Sequence, residues 1–194
     1  MIFNDVIIGT TSSNLVHINE YELSARLGNG VDLHDINLSK YMSLFNENVQ
    51  YRYAYVCIPL KIERDICLFE GETVKSAALS KVLKNANKVI LLSVTAGIEI
   101  DKLISKACIQ NSASAFYIDA IASAGIESYI EYITDSISEG LNTTNRFSPG
   151  YADFPLEFQA FLLNRLNAER IGIKLSKDYF MIPTKSITAV IGIK

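Results

Sequence analysis

The amino-acid sequence predicts an α+β protein built as a single domain. Helical and strand-like patterns come in blocks along the 194 residues, without the regular βαβ repeat of a doubly wound sheet. Hydrophobic residues make up 49% of the chain and charged residues 20%, which is enough apolar surface for a core and excludes a disordered chain. Because no repeat, low-complexity tract or linker interrupts these blocks, we expect one domain over 1–194.

Two short helices are predicted near the N-terminus. The first runs from Ile18 to Gly28, with Asn19 as its N-cap and Gly28 and Gly30 at its end. The second follows Asp35, its predicted N-cap, and its apolar residues fall at i, i+3, i+4 and i+7, the spacing of one helix face. These residues are Leu38, Tyr41, Met42 and Phe45.

Strands are predicted in the middle of the chain. Residues Tyr51 to Leu60 alternate with the period of two that is typical of a strand, and Ile62 to Phe69 is predicted as its antiparallel neighbour. Ser76 then caps a helix. The run from Val89 to Val94 is rich in β-branched residues and predicts a further strand, before a turn that ends at Gly97.

The C-terminal half is predicted to contain three helices, a loop and two strands. A helical stripe precedes the longest helical pattern, which runs from about Ala113 to Ser138. A loop at Arg146–Tyr151 leads into a helix from Pro155 to Leu166. The segments Phe180–Ile182 and Ser186–Ile193 predict two strands, joined by a three-residue turn. The stripe consists of Ile100, Leu103, Ile104 and Ala107.

The longest helix is predicted to have a buried apolar face and a separate acidic line. The apolar face comprises Ile126, Tyr129, Ile130, Ile133 and Ile137. The acidic line comprises Asp119, Glu127, Glu131 and Asp135, at multiples of four residues. Like charges at i and i+4 destabilise a helix by about 0.2–0.5 kcal/mol per pair, so we expect the line to be solvated unless a member has a specific role.

Charge and hydropathy exclude several classes of protein. Eighteen Lys and Arg stand against 21 Asp and Glu, so the positive excess required by a nucleic acid partner is missing. The start, Met1–Asp5, does not resemble a secretory signal, and no apolar run approaches the roughly 20 residues of a membrane span. The odd, widely spaced Cys57, Cys67 and Cys108 are expected to be reduced and buried in a cytoplasmic protein.

No pattern typical of a catalytic or metal site is present in the sequence. The only two histidines, His17 and His34, lack metal-ligand spacing, and there is no GxSxG turn or GxxxxGK[ST] loop. Gly28-Asn29-Gly30 lacks the third glycine of a dinucleotide-binding turn. We therefore predict no catalytic residue, no metal and no nucleoside triphosphate site.

The loop Arg146–Tyr151 has residue types that suit a small zwitterionic ligand. An arginine can clamp a carboxylate through two parallel hydrogen bonds, and Gly150 would let backbone amides approach a ligand. Pro149 restricts the backbone, and Tyr151 adds a flat face. The alternative interpretation is a surface ion pair worth at most about 1 kcal/mol, followed by a simple turn with Tyr151 as a core anchor.

Three segments of this half carry a family resemblance. They are RFSPGYADFPLEFQ from Arg146 to Gln159, IGIKLS from Ile171 to Ser176 and MIPTKSITAVIG from Met181 to Gly192. In order and spacing they resemble the activation domain of cobalamin-dependent methionine synthase, and residues 89–97 and 119–132 resemble its short stand-alone members. The resemblance is good over 88–194 and weak over 1–87. It implies one α+β domain with a bent antiparallel sheet and helices packed around it.

The resemblance also implies a ligand site. In this family an Arg-x-x-x-Gly-Tyr motif helps to bind S-adenosylmethionine, and the residues implied here are Arg146, Ser148, Pro149, Gly150, Tyr151 and Glu127. Arg146 would bind the carboxylate end of the ligand, and the backbone of 148–150 with the ring of Tyr151 would shape the pocket. Glu127 would face the cationic portion, since opposite charges attract strongly in a partly desolvated pocket.

The implied role is reactivation of a partner protein that carries cobalamin. The chain would hold S-adenosylmethionine for reductive remethylation of cob(II)alamin, on a methionine synthase that lacks its own activation domain or on a related corrinoid protein. No independent turnover is expected.

The alternative is an interaction module that keeps the fold but has lost the ligand. Because Ile182 stands where the family has tryptophan, we expect weak binding, or binding only when the partner closes the pocket.

Overall fold

A computed structural model describes residues 5–28 and 36–194 of the chain. Within these residues an antiparallel sheet of six strands is packed between two groups of helices, and a small two-stranded sheet lies apart from it. The strands are β1 (Ile7–Thr11), β2 (Tyr51–Glu63), β3 (Ile66–Phe69), β4 (Glu72–Lys75), β5 (Lys88–Thr95), β6 (Lys174–Leu175), β7 (Met181–Ile182) and β8 (Ser186–Ile193). The helices are α1 (Glu20–Leu27), α2 (Ile36–Asn48), α3 (Ala77–Val82), α4 (Ile98–Gln110), α5 (Ser112–Ser138) and α6 (Phe158–Arg165).

The order of the main sheet is β4-β3-β2-β5-β8, and β1 also pairs with β2. Every pairing is antiparallel. The thirteen-residue β2 pairs with β1 and β5 through its first part and with β3 through its last four residues. β8 lies beyond β5 and forms one border of the sheet, with Lys88 opposite Ile193. The predicted α+β class with an antiparallel sheet in a single compact domain is confirmed.

Two hydrophobic clusters lie on opposite faces of this sheet. Alternate residues of β5 divide between them, as the period of a strand requires: Ile90 and Leu92 face one cluster, and Val89 and Leu91 face the other. The first cluster is covered by α5 and its neighbours, and the second by α3 and α6. On α5 the predicted buried face is confirmed for Ile126, Tyr129, Ile130 and Ile133, and Ile137 is partly buried.

The predicted N-cap residues of α1 and α3 are found at the starts of these helices. The Asn19 side chain accepts hydrogen bonds from the backbone of Tyr21 and Glu22, and the Ser76 side chain accepts one from Leu79. Gly28 ends α1 with a φ of 89°. The predicted roles of Gly30 and Asp35 fall outside the described residues.

Two predicted element bounds differ from the structure. Ile62 belongs to β2 and not to its neighbour, because the chain turns only after Glu63. The helix predicted from Pro155 begins at Phe158. Both predicted C-terminal strands are present, and the structure adds their pairing: β7 pairs with β6, whereas β8 pairs with β5. The short strands β1, β4 and β6 were not predicted, since two to five residues give too little periodicity.

The cysteines are free, but one of them is not buried. Cys57 and Cys67 lie in the core as predicted. Cys108 is exposed, because it follows the buried Ala107 on α4 and so points away from the core, beside the exposed Ile109. The prediction was wrong for this residue, since helix position and not residue type decides its burial.

Neither a membrane-spanning helix nor a metal-binding cluster is found among residues 5–28 and 36–194. There, no helix combines the length and hydropathy that crossing a bilayer would need. Over the same residues, His, Cys, Asp and Glu side chains form no group of three or more that could hold a metal ion.

Candidate functional site

The segment before the Arg146–Tyr151 loop is held against the outer edge of β8. Phe147 and Val190 exchange two backbone hydrogen bonds, of 2.9 and 2.8 Å, and Thr143 forms an isolated bridge with Ile193. The Thr144 amide donates to the carbonyl of Gly192 at 2.9 Å. The segment therefore extends the sheet and fixes Arg146 at its border.

Arg146 forms an ion pair with Glu127 of α5. Its Nη2 atom lies 2.9 Å from Glu127 Oε2, and the two side chains are 35% and 31% exposed. Such a half-buried position keeps both groups accessible to a ligand while shielding them partly from water. The structure thus brings together the arginine and the carboxylate that the family resemblance implies for one site.

A cleft of about 220 Å³ surrounds this pair. Its lining residues are Glu127, Arg146, Phe147, Ser148 and Tyr151. Tyr151 is 63% exposed, and its ring lies 6.3 Å, centre to centre, from that of Phe147. Tyr151 is therefore not a core anchor.

Pro149 and Gly150 support the loop from behind the cleft. Pro149 is buried, and Gly150 has a φ of 89°, in the region that favours glycine. The Gly150 amide donates to the carbonyl of Phe154 at 2.8 Å, so this amide is already engaged within the loop. These two residues shape the turn and do not line the cleft.

Asp153, two residues after this loop, makes contacts that the sequence did not predict. Its carboxylate accepts hydrogen bonds from Ser76 Oγ at 2.6 Å and from the backbone amides of Ala77 and Ala78 at 2.7 and 3.1 Å. The hydrogen bond from Ser76 holds the pKa of Asp153 below its usual value. The partners lie 75 to 77 positions earlier in the chain, so no local pattern could reveal the contact.

The acidic line of α5 divides into paired and solvated members. Asp119 pairs with Lys185, whose Nζ atom lies 2.7 Å from Asp119 Oδ1 and 2.8 Å from Ser123 Oγ. Glu131 and Asp135 are exposed, as expected. Asp119 and Glu127 therefore fix the start of β8 and the loop, respectively, to the same helix.

Fold and site together define an α+β domain with a charged cleft at the border of an antiparallel sheet. No protein-family model matches the sequence, and no curated protein matches it. A crystal structure described as the MetH reactivation domain bound to AdoHcy is similar to this chain, with a TM-score of 0.70 and 16% identity over 97% of this chain and 78% of that one. The chain therefore has the fold of the activation domain, as the resemblance implied.

Proposed function

We propose that the chain binds S-adenosylmethionine in the cleft between α5 and the Arg146–Tyr151 loop. Two findings support the proposal: the domain of the same fold is described with AdoHcy bound, and the cleft holds a guanidinium and a carboxylate side by side. AdoHcy and S-adenosylmethionine share an amino-acid headgroup and an adenosine. In this proposal Arg146, Glu127, Ser148 and Tyr151 contact the ligand, and Pro149 and Gly150 shape the turn that presents them.

The ion pair between Arg146 and Glu127 carries the proposal. An α-amino acid presents a carboxylate and an ammonium group close together, so it can replace each partner of the pair with a group of the same charge. The ligand carboxylate would then bind Arg146, and its ammonium or sulfonium group would face Glu127. Because neither protein charge is left unpaired, the exchange avoids the penalty of a lone, partly buried charge.

The remaining cleft residues would orient the ligand. The exposed ring of Tyr151 offers a face on which a base or a sulfonium group can lie. Ser148 lines the cleft, and the turn at Pro149 and Gly150 fixes its direction. What the chain supplies is position, which can account for a large share of a rate enhancement when two reactants must meet in line.

The biological role in this proposal is the reactivation of a cobalamin-dependent methionine synthase that lacks its own activation domain, or of a related corrinoid protein, in the cytoplasm. Cobalamin, carried by the partner, supplies the methyl-transfer chemistry. Arg146, Glu127 and Tyr151 would hold the methyl donor at the surface where the partner docks. No independent turnover is expected from the chain.

The cleft is small for a ligand pocket, which also allows a second role for the chain. About 220 Å³ is less than the roughly 300–1,000 Å³ of ordinary ligand pockets, so a partner that closes over the cleft would complete it. The same observation favours the second candidate, an interaction module that docks on a corrinoid protein without binding the ligand.

Calorimetric titration with S-adenosylmethionine distinguishes the ligand-binding role from the interaction module. The titration is done both with and without a corrinoid methionine synthase. We expect heat from the wild type and none from Arg146→Ala. Arg165→Ala is a matched control, because it breaks another Arg–Glu pair, with Glu70 at 2.7 Å, that is similarly accessible. No heat from the wild type under either condition would overturn ligand binding and leave the interaction module.

A further inference from the structure

The Arg146–Tyr151 loop is tied to a distant part of the core through one carboxylate. Asp153 accepts hydrogen bonds from three consecutive residues at the start of α3, with distances between 2.6 and 3.1 Å. Charged acceptors make hydrogen bonds roughly twice as strong as neutral ones, and a carboxylate at a helix N-terminus also interacts favourably with the helix dipole. These hydrogen bonds join Asp153, two residues after the loop, to the start of α3.

Ser76, which donates a hydrogen bond to Asp153 from the start of α3, is itself buried and hydrogen-bonded. Ser76 is 1% exposed, its backbone amide donates to the carbonyl of Asp65 at 2.8 Å, and its hydroxyl also accepts from the amide of Leu79. Leu79 and Leu83 are fully buried in the cluster that faces α3. A group hydrogen-bonded to this helix start is therefore fixed relative to the core.

The loop transmits that position to the cleft. The Phe154 amide donates to the carbonyl of Tyr151 at 3.0 Å, and the Tyr151 amide donates to that of Ser148 at 3.3 Å. Ala152 has a φ of 50°, an uncommon value for a residue with a side chain. The turn between Ser148 and Phe154 is thus closed on itself, and Asp153 lies within it.

We propose that Asp153 is the positioning residue of the ligand loop: by binding the start of α3, it fixes the direction of Tyr151 and Ser148 in the cleft. The role in ligand binding rests on the function proposed above. The role in holding the loop does not, because it concerns only contacts within the chain. Asp153 itself is not expected to contact the ligand.

Amide hydrogen exchange of the full chain without ligand tests the tie directly. In Asp153→Ala, we expect the amides of Gly150, Tyr151 and Phe154 to exchange about tenfold faster or more, with β5 and β8 unchanged. Asp153→Asn keeps one acceptor oxygen and should lie between wild type and alanine, which also covers the case in which the alanine variant does not fold. Asp135→Asn, at an exposed position on α5, is the control. Unchanged loop exchange in a folded variant would overturn the proposal.

Titration of the same variants with AdoHcy tests the consequence for the cleft. We expect affinity to fall in the order wild type, Asp153→Asn, Asp153→Ala, with Asp135→Asn equal to wild type. If the wild type binds and all variants bind equally, Asp153 holds the loop without positioning the ligand, and the positioning role is overturned. If the wild type does not bind, the proposed function fails, whereas the exchange experiment still decides whether Asp153 holds the loop.

Discussion

The hydroxyl of Tyr51 donates a hydrogen bond of 3.2 Å to the backbone carbonyl of Gly125, which joins β2 to the middle of α5. The contact is possible because Gly125 has no side chain. A Cβ atom there would lie 2.7 Å from Phe45 Cζ and 2.9 Å from the Tyr51 hydroxyl oxygen. Gly125 therefore allows α5 to pack closely on the sheet and on α2.

Replacing Gly125 by alanine is expected to destabilise the protein, although alanine is the better helix former. The propensity gain is about 0.5–1 kcal/mol, whereas overpacking a core costs about 1–3 kcal/mol. Phe45 and Tyr51 are 0% and 2% exposed, so neither ring can move into solvent. Urea unfolding measures the difference, and the double variant with Phe45→Leu should lose less than the sum of the two. A Gly125→Ala protein as stable as the wild type would contradict the packing argument.

Replacing Glu127 by glutamine is expected to separate ligand binding from stability. The ion pair with Arg146 is one-third exposed, so the free energy of unfolding should change by no more than about 1 kcal/mol. Under the proposed function the Glu127 carboxylate would face the ligand cation, so its loss should weaken S-adenosylmethionine binding about tenfold or more, measured by calorimetry. Glu131→Gln, one turn further along α5, is the control and should bind like wild type. Equal weakening in both variants would argue against a specific role for Glu127.

Only one thiol should react in the folded protein. Cys108 is exposed, whereas burial raises the pKa of Cys57 and of Cys67 and so disfavours the reactive thiolate. At about pH 8, a chromogenic disulfide reagent should detect one thiol in the native chain and all three in denaturant. Cys108→Ser should abolish the native reaction. Rapid labelling of Cys57 or Cys67 would show that β2 or β3 opens readily.

The contribution of Asp153 to stability is expected to disappear in acid. Its pKa is lowered in the folded chain by the hydrogen bond from Ser76, so the stabilisation is fully present above the unfolded pKa of about 3.9 and is lost as the pH falls through the folded value. The difference in unfolding free energy between wild type and Asp153→Asn should be constant above about pH 5 and narrow below about pH 4. A difference that does not narrow in acid would mean that the charge of Asp153 makes no contribution.

Local periodicity was sufficient to predict most of the fold. The long pattern of α5, the alternation of β2 and the caps Asn19 and Ser76 were recognised because each depends on neighbouring residues. Features that depend on distant residues were missed, such as the pairing of β7 with β6 and the contact of Asp153 with Ser76. The exposure of Cys108 was missed for another reason, because its burial was inferred from residue type and not from its position on α4.

Of the candidate site, the sequence predicted the residue types, and the structure adds which of them meet. Glu127 and Arg146 come together because α5 runs past the edge of β8, a relationship that no spacing in the sequence reveals. The surface ion pair considered as the alternative to a ligand site is present. Its partner, however, is the very carboxylate expected in the ligand site, so the two interpretations describe one arrangement.

The backbone pairing of Phe147 with Val190 also determines the stage of folding at which the cleft can form. As the chain leaves the ribosome, Glu127 and Arg146 emerge well before β8, and until β8 has joined β5 there is no border on which they can meet. Pairings between segments far apart in the chain form slowly. A nascent chain would therefore lack the cleft until β8 is in place, and any ligand that the cleft binds would report that β8 has joined the sheet.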